Sequence, residues 1–366
     1  MYWDTTNELW CVSRYDDIVE LASKPEIFTS SEGNVPKMPA DPSFINMDGK
    51  AHHDRRKLIS AYFKPSAIRK MEAHIQDAVD RLIDNVIEKG ECNFVDDIAA
   101  PLPCGIIAEM TGIPEEYHED VRHWMDVFML GGNGPDHVTM EVNEAFINFG
   151  GLHMQLVDER RANPKDDLLS IWVNAEIDGE KLDEDSLLFE HTMMMIGGSE
   201  TARNAISGGV NMLAQLTDQR QMLIDRPELL INAAEECTRW VTPFIRMSRT
   251  ATQDVEFCGA QVQAGQELIM LYPAANRDPR RFDDPYSFDV QRDFKKARSL
   301  AFGFGHHYCL GAHLALAEAK CVLQAMTERM PDWKITQPPQ WAHSSFVRGV
   351  KSMAISFTPG PRKLDV

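Results

Sequence analysis

Near the C-terminal end of the chain, Phe302-Gly303-Phe304-Gly305-His306-His307-Tyr308-Cys309-Leu310-Gly311 sets a cysteine just before an apolar helical run that begins at Ala312. The N-terminus of a helix presents unpaired N–H groups and partial positive charge, which stabilise a thiolate, the form of cysteine that binds metal. The flanking glycines lack a Cβ, so a flat, bulky group can approach the main chain. These residues alone leave a second reading open, in which Cys309 is one more buried cysteine in a turn. The other cysteines, at 11, 92, 104, 237, 258 and 321, are scattered without paired metal-site spacing. Disulfides are therefore not expected, and each of these reads as a small buried apolar residue. Glu236-Cys237-Thr238-Arg239 could form an i,i+3 ion pair, but such pairs are common on exposed helices and carry little weight alone.

The elements that must position these groups are mostly helical. Ser66 to Lys89 carries apolar residues at helical spacing and ends at Gly90, a C-cap signal. Asp185 to about Leu216 is apolar on most sides, which places it in the middle of a large domain, yet Gly197-Gly198 and polar Ser199, Glu200 and Thr201 interrupt it. Pro227 to Trp240 and Ala312 to Arg329 also read as helices. The strand-like pieces are short: Leu9 to Ser13, Val255 to Phe257, Glu267 to Leu271 and Ser352 to Phe357. The pattern predicts one large, mainly α domain with a small β portion. A net charge of −19 over 366 residues argues against nucleic acid and anionic membranes as partners. With no long apolar run and no signal-peptide pattern at the start, a cytoplasmic protein is expected.

FGFGHHYCLG resembles the haem-binding loop of the cytochrome P-450 superfamily, Phe-x-x-Gly-x-x-x-Cys-x-Gly, with every fixed position filled. Further segments resemble the family in order and separation, so the likeness covers nearly the whole chain as a single domain, 1–366. Glu236 and Arg239 match its Glu-x-x-Arg motif, whose buried pair is joined by a later arginine, here Arg292. Gly197-Gly198-Ser199-Glu200-Thr201 matches the central-helix segment over the haem. Asp48, His52 and Arg56 match Asp-x-x-x-His-x-x-x-Arg, and Arg249 matches a further propionate-binding arginine. The resemblance implies haem b with Cys309 as its proximal thiolate, which favours O–O cleavage. It also implies His52, Arg56, Arg249 and His307 on the propionates, with Phe302, Gly305 and Gly311 shaping the loop. His53, Arg55 and His306 are expected at the surface.

Two interior glycines cost roughly 1 kcal/mol each relative to alanine, so the Gly197–Thr201 stretch needs compensation. A local widening of the helix over O2 is expected, with Thr201 donating a hydrogen bond and Glu200 relaying protons. A kinked core helix with a solvated glutamate is the bland alternative. Ala202 stands where many relatives have a second hydroxyl, which argues against a water chain through that position. The chain also starts at what resembles the family's first strand, without the opening helix, and that should uncover part of the substrate-access region.

Segments that line the family's pocket contribute Val35, Met38, Phe44, Ile45, Met195, Ile196, Gly197, Val241, Phe244, Ile245, Phe346 and Val347, an apolar cavity for an apolar molecule. Several stretches look like actinobacterial cholesterol and cholestenone side-chain hydroxylases. A monooxygenase acting on a sterol side chain is implied, with fatty acids or terpenoids as alternatives. With no fused flavin domain, electrons should come from a ferredoxin and its reductase, docking at a basic patch drawn from Arg69, Lys70 and Arg298. A peroxide-driven peroxygenase and a non-catalytic haem-thiolate sensor are the competing readings. The first normally lacks the acid-alcohol pair that Glu200 and Thr201 supply, and retention of that pair also speaks against the second.

Overall fold

A computed structural model describes residues 1–364. Its helices are α1 (Tyr15–Ala22), α2 (Gly49–Ile59), α3 (Pro65–Asp84), α4 (Pro101–Thr111), α5 (His118–Phe128), α6 (Met140–Ala162), α7 (Leu168–Asn174), α8 (Glu184–Gln215), α9 (Thr217–Asp225), α10 (Leu230–Val241), α11 (Tyr272–Ala275) and α12 (Ala312–Arg329). The long α8 starts where Asp183 accepts the Ser186 N–H at 2.7 Å, an N-cap that satisfies one orphan donor. It runs through the middle of the main core, with α4, α10 and α12 packed around it.

The largest sheet has five strands in the order Tyr2–Asp4, Leu9–Val12, Glu267–Leu271, Arg246–Ala251 and Phe28–Thr29. Leu9–Val12 pairs parallel with Glu267–Leu271, and the remaining pairs are antiparallel. Its apolar side, with Phe28, Leu268 and Met270, joins a second core that includes Leu21 of α1. Arg246–Ala251 carries Met247 and Arg249 to the central cavity.

Three sequence expectations need correction here. Periodicity to Lys89 predicts a longer α3, but the helix ends at Asp84 and tightens into turns. The Asp84 carboxylate there receives the main-chain N–H groups of Lys363 and Leu364, so the C-terminal segment claims the space a further helical turn would fill. The closing strand is split at Met353: Val350–Ser352 pairs with Gln340–Trp341, and Ala354–Ser356 with Lys334–Ile335 and Glu91–Asn93. Most telling, α8 is α-helical without interruption across Gly197-Gly198, and the expected widening is absent. Packing accounts for one glycine instead, because a Cβ on Gly198 would collide with Ile107 of α4. A π-turn does occur, at Val95–Ala99 ahead of α4.

Candidate active site

The chain folds back before α12 so that Cys309 N–H donates to the Phe302 carbonyl at 2.8 Å. Gly303 and Gly305 make that reversal in the left-handed region, with φ of +69° and +72°. Cys309, Phe302, Gly303 and Gly311 all line one cavity of about 440 Å³. Burial pushes the Cys309 thiol up, while the Gly311 N–H and the Arg56 charge pull it back. In the chain by itself burial therefore outweighs both pulls.

Arg56, Arg249 and His307 line the same cavity as this sulfur. Arg56 on α2 donates to the Tyr308 carbonyl at 2.5 Å, and buried Arg249 donates to the Ser248 carbonyl at 2.7 Å. Neither has a carboxylate within ion-pair distance among the described residues. His307 Nε2 lies 3.2 Å from Asp48 Oδ1, and its ring meets His52 at a 44° tilt with centroids 4.3 Å apart. Burial pushes His52 down to about 4, helped by the positive neighbours His307 and Arg56, and its Nε2 has no partner. Burial alone would raise the Asp48 carboxyl, but hydrogen bonds from His307, Thr29 and Ser30 hold it well below the usual range. Glu318 of α12 also reaches the cavity lining, with one carboxylate oxygen unpartnered. His53 and His306 are exposed. Arg55, expected at the surface, is instead half-buried: its side chain reaches α8, donating to Ser186 Oγ at 2.8 Å and pairing with Glu190 at 3.3 Å.

On α8, Ile196, Gly197, Gly198, Thr201 and Ala202 face the cavity. Thr201 Oγ1 donates to the Gly197 carbonyl at 2.8 Å, so in this arrangement its oxygen offers the cavity an acceptor. That differs from the donor role expected above. Glu200 turns away from the cavity to Arg203, which also holds Asp126 of α5 at 2.8 Å. Burial pushes Glu200 well up, and with two carboxyls sharing one guanidinium the proton rests on Glu200.

Of the expected wall, Val35, Met38, Phe44, Ile45, Ile196, Gly197, Phe244 and Phe346 line the cavity. Val241, Ile245, Val347 and Met195 do not. Successive side chains of extended backbone point to opposite sides, so Phe244-Ile245 and Phe346-Val347 each send only one inward. Val241 packs over Gly208 of α8, and Met195 turns toward Thr111, whose Oγ1 is 3.4 Å from its sulfur. Sequence reasoning missed the wall from the end of α5 to α6, notably Phe128, Met129, Val138, Val142 and Phe146. The signal was present as the Gly131-Gly132-Asn133-Gly134-Pro135 turn between two helices, with Val142 and Phe146 one helical turn apart.

Behind the loop, Glu236 accepts bidentate bonds from Arg239 at 2.6 and 2.7 Å and a further one from Arg292 at 3.1 Å. All three are buried, and both guanidiniums also tie down carbonyls of the 276–287 segment. Arg69 and Lys70 are exposed at the start of α3. Arg298 is exposed as well, its guanidinium 4.1 Å from the Tyr308 ring centre.

Residues 216–336 match the family model described as cytochrome P450. The chain is 38% identical over 360 residues to a steroid C26-monooxygenase of Mycobacterium tuberculosis, an alignment covering 97% of this chain and 96% of that protein. The chain belongs to the cytochrome P450 family. This P450 is also 34% identical over 366 residues to a methyl-branched lipid omega-hydroxylase of Mycobacterium bovis, covering 96% and 85% of the two chains. Among solved structures it is similar to CYP109E1 from Bacillus megaterium in complex with testosterone, with a TM-score of 0.89 and 27% identity over 99% of this chain and 94% of that one.

As a P450 the protein is a haem-thiolate monooxygenase that takes electrons from redox partners. The residues present fit haem. One cavity-facing sulfur stands beside two guanidiniums that lack carboxylate partners and a buried imidazole nitrogen with no hydrogen bond, a set suited to a flat, dianionic group. Among the described residues, no helix is long and apolar enough to cross a membrane.

Proposed function

We propose that this P450 hydroxylates the aliphatic side chain of a sterol or steroid at or near its terminus. The observation that carries the reading is the cavity of about 440 Å³ with Cys309 at one face and walls of Phe, Met and aliphatic side chains. Such a wall rewards hydrocarbon burial at about 25 cal/mol per Å² and orients it by shape. The steroid C26-monooxygenases and the methyl-branched lipid omega-hydroxylase among the relatives support a chain-end target.

Haem, held through the Cys309 sulfur, supplies the activation of O2 when bound. The Arg56 and Arg249 guanidiniums would neutralise its propionates, with His52 and His307 as hydrogen-bond partners, and Phe302 would shield the sulfur from water. Thr201 presents its oxygen to the cavity, and Glu200 stores a proton one residue away, beside Arg203 and Asp126. Glu236, Arg239 and Arg292 fix the segment that leads into the cysteine loop. Ile196, Phe244 and Phe346 guide the tail. We assign the electron supply to a ferredoxin and its reductase in the cytoplasm, docking at Arg69, Lys70 and Arg298.

The test is a titration of the haem absorption band with cholest-4-en-3-one and with a saturated long-chain fatty acid. A tight response to the sterol supports the reading. A response to the fatty acid with none to the sterol overturns it.

A further inference from the structure

A carboxyl deep in a protein is costly unless it is partnered, and Glu190 of α8 is 1% exposed and stands outside the cavity lining. Its Oε1 accepts the Phe44 N–H at 3.1 Å and lies 3.3 Å from Arg55 Nη1 of α2, while its Oε2 is buried with no partner. Arg55 is braced in turn, its Nη2 donating to Ser186 Oγ one helical turn earlier on α8 at 2.8 Å. Phe44 opens the short turn Phe44–Asn46, just ahead of α2. Phe44, Ile45 and Asn46 all line the cavity, so this turn is part of its wall. Asn34 holds the far end of the turn, its Nδ2 donating to Asn46 Oδ1 at 2.9 Å. Among the described residues, the Phe44 N–H to Glu190 bond is the only hydrogen bond that joins the turn to α8. Further along α8, six residues or roughly 9 Å past Glu190, Ile196 lines the same cavity. Glu190 thus ties one wall of the cavity to the helix that carries another. Burial pushes its carboxyl up to about 8, with Asp41 nearby adding to the rise, while Arg55 and the Phe44 N–H pull it back. The neutral acid is therefore well populated near pH 7, and a glutamine keeps both its shape and its acceptor oxygen.

We propose that Glu190 is a positioning residue for the substrate: by holding the Phe44 N–H and Arg55 together, it fixes the Phe44–Asn46 turn against α8 and keeps Phe44 in the wall on which a lipid packs. This rests on the reading that a long apolar lipid fills the cavity. Glu190 touches neither the lipid nor the haem site, so its effect reaches the substrate only through the turn.

Haem-loaded wild type, Glu190→Gln and Glu190→Leu are titrated with cholest-4-en-3-one, with palmitate, and with imidazole, a small ligand that binds the iron without filling the cavity. The carbon-monoxide spectrum checks that each variant carries thiolate-ligated haem. The Leu variant leaves the Phe44 N–H and Arg55 without their acceptor, and it is expected to bind the sterol about tenfold more weakly than wild type. The Gln variant should restore most of that affinity, and imidazole should bind all three proteins alike. Sterol affinity unchanged in the Leu variant overturns the proposal, as does equal weakening of sterol and imidazole, which marks general damage to the fold. If the Leu variant fails to load haem, Glu190→Asp, whose shorter side chain draws the oxygen back from Phe44, takes its place and the same contrast decides. A wild type that responds to palmitate and not to the sterol overturns the sterol reading alone, and the same contrast measured with palmitate then supports the role of Glu190. No response to either lipid overturns both.

Discussion

At the scale of single residues, Cys309 and Thr201 carry distinct tasks and fail in distinct ways. Cys309→Ser is expected to abolish the long-wavelength carbon-monoxide band of thiolate-ligated haem, and a variant that keeps the band sinks the assignment. Thr201→Ala should still bind haem, since its hydroxyl bonds only the carbonyl one turn back on its own helix. It should divert reducing equivalents to hydrogen peroxide, lowering product formed per NAD(P)H consumed, and unchanged coupling would refute the role. Cys309, Arg56 and Arg249 could be named from sequence because a short motif fixes their spacing. The inward turn of Phe346 rather than Val347 could not, because nothing in their spacing shows which of the two meets Gly132.

At the scale of elements, α8 was legible in extent but not in detail. Its apolar run marks the helix, whereas the glycine at 198 owes its place to Ile107 on another helix, a contact that periodicity does not encode. The cavity wall contributed by α5 and α6 was missed although its turn and spacing stand in the sequence, because spacing does not say which cavity a helix face meets. Between α6 and α8 lies a buried pair, His153 and His191, with Nδ1 atoms 2.9 Å apart. One ring must donate and the other accept, so the acceptor at least is neutral. Burial pushes His153 down to about 4 and His191 well below its usual value. The unfolded chain therefore binds more protons below pH 6.5, and stability contributed by the neutral pair is present above that pH and lost as pH falls toward 4. For His153 alone the loss reaches about 3 kcal/mol. Thermal unfolding across this range should show the decline, and His153→Leu with His191→Leu should flatten it. A parallel decline in the double variant would contradict the account.

At the scale of the whole molecule, a net charge of −19 repels an acidic redox partner at long range, so productive encounter requires a local positive field. Arg69, Lys70 and Arg298 provide it in this account, and electron transfer from an acidic ferredoxin should slow as salt rises. Rates insensitive to salt would remove the patch from the mechanism. The overall architecture was legible because the cysteine loop, the Glu-x-x-Arg pair and the α8 segment each need the same fold around them. The substrate was less so, since an apolar wall specifies hydrocarbon and leaves its ring system open. The most direct measurement is turnover of cholest-4-en-3-one with ferredoxin, reductase and NAD(P)H under isotopically labelled O2. The account predicts one labelled oxygen atom at or near the end of the side chain. Label on the ring system, or oxygen drawn from water, would contradict it.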